Sequence, residues 1–207
     1  MKGDFPNAER FYQSILKLPV WSNEEDLFII QQYIDAIKKV SENYMELIEY
    51  LKGGMKMEEL SKEKQNDFLN ELLTLAKNEG IDKVVVGAVI KNGEKVLLLE
   101  RPKNDFMGGI NELPSGNMEA EETLRDALIR EVKEETNLDL RSFLKYLGSF
   151  DYLSGSGKKA RQYNFLIDVI ENGEIKLTEH DNFVWAEKEN EAFKKVTDSV
   201  KEVLDKV

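Results

Sequence analysis

The run Val84-Val85-Val86-Gly87-Ala88-Val89-Ile90 restricts the fold of this 207-residue chain more than any other stretch. It shows no alternation of apolar and polar residues, so a strand built from it must be buried on both faces. Asn92-Gly93 follows as a two-residue hairpin signal, and residues 96–99 supply the returning strand. Further strands are expected at 143–152, 163–170 and 183–185. Ser154-Gly155-Ser156-Gly157 turns between the first two, and Asn172-Gly173 starts another hairpin. Leu124, Ala127, Leu128 and Val132 form one helical stripe, and Phe193, Val196, Val200, Val203 and Leu204 give a closing helix. Strands mixed with two helices predict an α/β sandwich over residues 81–207, a sheet covered on both faces.

Residues 1–80 read differently, as a helical N-terminal region. Ser22 precedes Asn23, Glu24, Glu25 and Asp26, an N-cap with an acidic first turn. Phe28, Ile29, Tyr33, Ile34, Ile37, Val40, Tyr44, Leu47, Ile48 and Leu51 then recur at spacings of three and four, and Gly53-Gly54 stops the pattern. A second stripe carries Phe68, Leu69, Leu72, Leu73 and Leu75, with Gly80 placed to end it. These helices are expected to stabilise the fold or to build a homodimer.

Composition narrows the partners. A net charge of −11 argues against a nucleic-acid polymer held on a broad basic surface. No apolar run approaches a membrane span, so no membrane is expected, and the lack of cysteine fits a cytoplasmic setting. A single phosphorylated metabolite whose charge is met by metal remains compatible.

Residues 116–138, GNMEAEETLRDALIREVKEETNL, carry the chemistry. Glu131, Glu134 and Glu135 stand at i, i+3 and i+4 of a helix and share a face. Three such carboxylates repel unless a cation is shared, and Mg²⁺ (or Mn²⁺) prefers carboxylate oxygen and substrate phosphates. Thr123 with Asp126 resembles a capping box that starts the helix at Leu124. Arg130 can reach Glu122 as a bidentate brace of the loop. Asn137 closes the helix in the left-handed conformation that it tolerates well.

Gly116, Glu122 and the run Arg130-Glu131-Val132-Lys133-Glu134-Glu135-Thr136-Asn137-Leu138 resemble the Nudix box, with Asn137 in place of the final glycine. The resemblance extends from about residue 83 to the C-terminus and implies the Nudix α/β/α sandwich with a mixed sheet. It also implies hydrolysis of a nucleoside diphosphate linked to another moiety, with water attacking a phosphorus of the pyrophosphate. In family terms Glu131, Glu134 and Glu135 hold the metals together with the Ser115 carbonyl, and one of the three or a later glutamate is the general base. Glu179 lies six residues before Trp185, a spacing seen in mutator-type Nudix enzymes for a metal-binding or base glutamate; a solvated loop acid is the alternative. His180 beside it reads as a surface residue.

By rough correspondence, Arg101 and Arg161 fall where the family contacts substrate phosphate or base, a task suited to the planar guanidinium. Phe106, Phe150 and Tyr152 could stack on a base, although core packing is the commoner use of strand aromatics. The other class of function is a Nudix-fold nucleotide-binding or regulatory module without hydrolysis. Such modules usually lose box carboxylates, whereas Glu122, Glu131, Glu134 and Glu135 are all kept. Residues 5–45, including FPNAERFYQSILKLPVW, resemble the C-terminal end of DegT-type sugar aminotransferases and lean the substrate toward nucleotide sugars. The Glu179 spacing leans it toward nucleoside triphosphates, and ADP-ribose-like compounds share the same pyrophosphate.

Overall fold

The computed structural model describes residues 27–42, 54–105, 107–170 and 174–207. The chain divides into two compact units, residues 1–47 and 48–207. In the first, the described residues form one helix, α1 (Leu27–Glu42). Phe28, Ile29, Tyr33, Ile34 and Ile37 recur along it at helical spacing, and Gln31 Nε2 donates to Asp35 Oδ1 at 2.8 Å one turn on. The expected cap at Ser22, the continuation through Leu51, the stop at Gly53 and the aminotransferase-like run at 5–21 lie outside the described residues.

The second unit opens with β1 (Met55–Lys56) and α2 (Lys62–Asn78). The Ser61 hydroxyl accepts from the Lys64 N–H at 3.3 Å and caps α2. At the other end Gly80 adopts φ +69°; its N–H reaches Lys77 O at 3.2 Å, and the Ile81 N–H reaches Ala76 O at 3.0 Å. These paired bonds satisfy carbonyls that a helix end leaves free. Sequence expectation places a division after residue 80, and α2 lies on the other side of the observed one. The reason is its buried stripe of Leu69, Leu72 and Ala76, which packs into the core beneath the sheet.

The remaining strands are β2 (Lys83–Asn92), β3 (Lys95–Glu100), β4 (Asn111–Glu112), β5 (Ser115–Asn117), β6 (Asp139–Leu153), β7 (Lys159–Ile170) and β8 (Asn182–Ala186). Their order is β1-β6-β7-β2-β3-β4, with β5 also beside β2 and β8 also beside β3. β2 and β7 run parallel from Lys83↔Ala160 to Ile90↔Ile167, and the other pairs are antiparallel, so the sheet is mixed. The β2–β3 hairpin is paired only at Lys91↔Val96 and Asn92↔Lys95. Its two turn residues are therefore Gly93 and Glu94, one position later than the Asn92-Gly93 signal suggests, with Gly93 at φ +61°. Beyond that end the strands splay: β2 takes β5 as a neighbour, and β3 takes β4 and β8.

Burial on both faces of β2 divides the core in two. Val86, Ala88 and Ile90 face α2 and α3 (Leu124–Thr136), together with Leu124, Leu128, Tyr163 and Phe165. Val89 joins Leu98, Leu113 and Leu147 under α4 (Glu191–Lys194) and α5 (Asp198–Leu204). The closing helix expected from the sequence is thus two short ones. Thr197 is extended and accepts from the Val200 N–H at 3.4 Å, so it starts α5 afresh. The second hairpin signal, Asn172-Gly173, lies outside the described residues. Among the described residues no helix is long and apolar enough to cross a membrane.

Candidate active site

Helix α3 carries the acidic residues on an edge of its buried face. Leu124, Ala127, Leu128 and Val132 are fully buried, and Glu131 and Glu135 continue the buried side at 9% and 5% exposure. The Thr123 hydroxyl accepts from the Asp126 N–H at 3.1 Å and donates to Asp126 Oδ2 at 2.7 Å, so α3 starts at Leu124 as expected. Asn137 ends it at φ 63°, ψ 8°, with its N–H on Lys133 O. Glu134 differs from its neighbours. Its side chain is exposed and pairs with Arg130 Nη1 at 3.1 Å.

The loop before α3 is built around Arg130 and Gly116. Arg130 Nε and Nη2 donate to Glu122 Oε1 and Oε2 at 2.8 and 2.9 Å, the expected bidentate brace. Arg130 also reaches Glu131 Oε1 at 2.8 Å and Asn117 O at 2.9 Å, so one guanidinium ties the loop, β5 and the acidic face together. The Arg130 bond comes first among the causes that hold the Glu122 carboxyl down at about 2. Gly116 sits directly against Glu131: a Cβ at this position would run into its carboxylate. The Ser115 N–H donates to Glu135 Oε2 at 2.7 Å.

Segment 174–180 closes the other side. Lys176 N–H reaches Thr136 O at 3.1 Å and Thr178 Oγ1 reaches Glu134 O at 2.9 Å, pinning the segment along the end of α3. Glu179 is exposed, and its charge adds to the forces on Glu131. His180 turns inward, contrary to its reading as a surface residue. Its ring is 6% exposed, with Nε2 3.0 Å from Glu112 Oε1 and Nδ1 3.7 Å from Glu135 Oε1. Strand pairing of β4 and β8 to β3 brings Glu112 and His180 together, and no local pattern signals that meeting. Glu112 itself was missed by sequence reasoning; its place two residues before Pro114, at the entry to the glycine loop, is the one available signal.

Glu135 and Glu131 titrate abnormally. Burial raises Glu135 to about 8, against the opposing pull of His180 and the Ser115 N–H, with Glu131 and Glu112 adding repulsion. Burial also raises Glu131, opposed by Arg130 and reinforced by Glu134 and Glu179. Burial works against a charged His180, but the Glu112 bond and Glu135 outweigh it and raise its pKa.

The arrangement fits a hard divalent cation by chemistry. Two buried carboxylates lack full compensation, the nearby donors are oxygens, and His180 Nδ1 is buried without a hydrogen-bond partner beside them. Among the described residues, however, no group of three or more acidic or histidine side chains is already set to hold a metal ion, and Glu134 is drawn outward to Arg130.

A cleft of about 360 Å³ adjoins this acidic corner through Glu112 and Ser115. Arg101 lines it, donating from Nε to Glu112 Oε1 at 2.8 Å. Phe150 and Tyr152 also line it, with ring centroids 6.1 Å apart; both face ligand space, and Phe150 also packs against the core. Arg161 does not join them. Its guanidinium is committed to Asp151 at 2.6 and 2.9 Å and to Glu79 at 2.7 Å, and it bridges β6 to the end of α2. Phe106 lies outside the described residues.

The family model for the NUDIX domain matches residues 82–206. This chain belongs to the Nudix family. Among curated Nudix relatives, it is 37% identical over 95 residues to the ADP-ribose pyrophosphatase of Methanocaldococcus jannaschii, covering 45% of this chain and 54% of that protein. The chain thus spans about half the length of that relative. It is 30% identical over 105 residues to the CTP pyrophosphohydrolase of Escherichia coli, covering 51% of this chain and 76% of that protein. The solution structure of the E. coli ORF135 protein superposes with a TM-score of 0.51 at 26% identity, over 62% of this chain and 90% of that one. A Nudix hydrolase from Nitrosomonas europaea gives 0.51 at 25% identity, over 60% and 86%. The layered mixed sheet is the Nudix fold.

Proposed function

We propose that this Nudix protein is a divalent-metal-dependent pyrophosphohydrolase that cleaves the diphosphate bond of a nucleoside diphosphate linked to another moiety. One observation carries the reading: Glu131 and Glu135 are buried side by side where Gly116 leaves room and Ser115 supplies an N–H, at the edge of a cleft of ligand size. Burying two acids costs stability unless their charge is compensated, and a bound cation would compensate both at once. The relatives' named activities, on ADP-ribose and on CTP, share a nucleoside pyrophosphate.

In this reading Glu131, Glu134, Glu135 and the Ser115 carbonyl hold Mg²⁺ or Mn²⁺, with Glu179 as a further carboxylate on the facing segment. When bound, the cation neutralises pyrophosphate charge and lowers the pKa of water. Glu122 and Arg130 fix the loop, and a glutamate of the cluster accepts the proton of the attacking water. Arg101, at the cleft end of β3, pairs with substrate phosphate or base.

The test is hydrolysis of ADP-ribose, nucleotide sugars and nucleoside triphosphates with Mg²⁺, with products assigned by mass. Glu131→Gln and Glu135→Gln, each folded, are expected to lose about 10²-fold or more in rate. Wild-type rates in both variants would refute the assignment. Tight nucleotide binding with no turnover of any substrate would instead favour a binding module.

A further inference from the structure

Two polar residues interrupt the apolar pattern of β7, and the pyrophosphohydrolase reading gives them no task. Gln162 is 7% exposed and lines the cleft; Asn164, two residues on and on the same face, is fully buried. Buried amides in a strand are costly unless every group is matched, so their bonds are informative. Asn164 Nδ2 lies 3.3 Å from Gly148 O and 3.3 Å from Gln162 O. Backbone carbonyls only accept, so the orientation of the Asn164 amide is fixed: its nitrogen faces them, and Oδ1 faces Gln162. That oxygen takes a hydrogen from Gln162 Nε2 at 2.9 Å. Orientation thus passes from the Gly148 carbonyl through one amide to the next.

Gly87 makes the relay possible. A Cβ there would stand 2.5 Å from Gln162 Nε2 and 2.7 Å from Asn164 Oδ1, so only a glycine lets the two amides lie across β2. With Nε2 packed over Gly87, Gln162 Oε1 is the end left for the cleft. Among the described residues nothing donates to it, yet it is not a sealed atom: the one buried side-chain polar atom without a partner is His180 Nδ1. Directly across the ladder from Gln162 stands Phe150, with Tyr152 beyond it. Cross-strand partners share a face, so an aromatic surface and a fixed acceptor stand on one wall of the cleft.

We infer that Gln162, held by Asn164, is a specificity residue that accepts a hydrogen bond from the exocyclic amino group of the substrate's base. The inference rests on the nucleotide-cleft reading above and deepens it. The acceptor favours cytosine and adenine, whose amino groups project from the ring edge. It disfavours uracil and hypoxanthine. Their ring N–H is flanked by carbonyl oxygen, whose lone pairs oppose Oε1, and their exocyclic oxygen cannot donate. Asn164 is a positioning residue that acts only through the Gln162 amide.

The experiment compares CTP with UTP and ATP with ITP on the full chain. Hydrolysis is followed with Mg²⁺, and binding is followed by calorimetry with Ca²⁺. The amino-bearing member of each pair is expected to lead by about tenfold in kcat/KM and in affinity. Gln162→Leu should erase the lead by weakening the amino-bearing nucleotide. Asn164→Ala, which frees the amide to turn, should narrow the ratio, a change that a merely structural role would not produce. Equal handling of both pairs by the unaltered protein overturns the inference and leaves hydrolysis standing. So does a lead that survives Gln162→Leu. A tenfold lead in binding with no hydrolysis of these four triphosphates supports the inference and refutes only triphosphate cleavage, leaving ADP-ribose and nucleotide sugars as the substrates of the hydrolase reading.

Discussion

Glu135 shows how far a single residue departs from solution behaviour here. Its carboxylate has the Ser115 N–H as a short partner, while His180 Nδ1 stands 3.7 Å away, beyond hydrogen-bond reach. Burial raises its pKa from 4.5 to about 8, so between those values the folded chain holds a proton that the unfolded chain has released. Stability contributed by this group is therefore present below about 4.5 and lost as pH rises through about 8. His180, also raised, acts in the same direction above its ordinary value. The metal-free protein is expected to lose melting temperature across this window, by about 5 °C or more from Glu135 alone. Glu135→Gln should flatten the profile, and added Mg²⁺ at pH 8 should raise the melting point of the parent but not of the variant. A flat parent profile in differential scanning fluorimetry would contradict the buried, uncompensated charge. The sequence makes Glu131, Glu135, Glu122 and Arg130 legible because their bonds are local to one loop and helix. Glu112 and His180 are 68 residues apart and meet only through the neighbours of β3, so spacing along the chain could not pair them.

Helix α3 is an element whose two ends are both encoded nearby, and that is why its limits could be read in advance. Thr123 caps one end, and Asn137 closes the other at φ 63°, where glycine is the residue without a steric penalty. The Asn137 side chain makes only a long contact, 3.5 Å to Glu174 O, so its main contribution is tolerance of that backbone. Asn137→Gly is expected to shift the urea midpoint little in either direction, whereas Asn137→Val should cost about 1 to 2 kcal/mol. Equal midpoints for the two variants would mean that the helix end relaxes without its left-handed stop. Elements whose limits depend on distant partners were harder to read. β5 is three residues long and exists because Val85, Val86 and Gly87 pair with it. The 193–204 pattern is continuous in hydrophobicity, and only the extended Thr197 divides it. Gln162 and Asn164 fall within a strand that reads as apolar overall. Their matched amides become visible only when Gly148 and Gly87 are brought alongside.

At the scale of the molecule, the family match begins at residue 82, which invites a cut just before β2. The packing of the second unit argues against that cut. Leu69, Leu72 and Ala76 are buried in the core shared with α3, the Tyr163 hydroxyl donates to Leu72 O at 2.8 Å, and Phe68 meets the Tyr146 ring edge-on at 5.3 Å. Arg125 of α3 donates to Gln65 Oε1 at 2.6 Å, and Glu79 pairs with Arg161 at 2.7 Å. Each buried leucine lost costs about 2 to 5 kcal/mol, and Tyr163, Tyr146 and Phe165 would be uncovered besides. That sum is comparable to the whole stability of a domain, about 5 to 15 kcal/mol. A chain beginning at Ile48 is therefore expected to unfold in one cooperative transition. One beginning at Ile81 should lose cooperativity and bind a hydrophobic dye, even though it keeps every residue of the acidic site. Urea titration followed by circular dichroism distinguishes the two. An Ile81 chain with the same midpoint as the Ile48 chain would show that α2 covers the sheet without holding it. Loss of the transition would make α2 part of the scaffold that aligns β2, β7 and α3, and through them the glutamates.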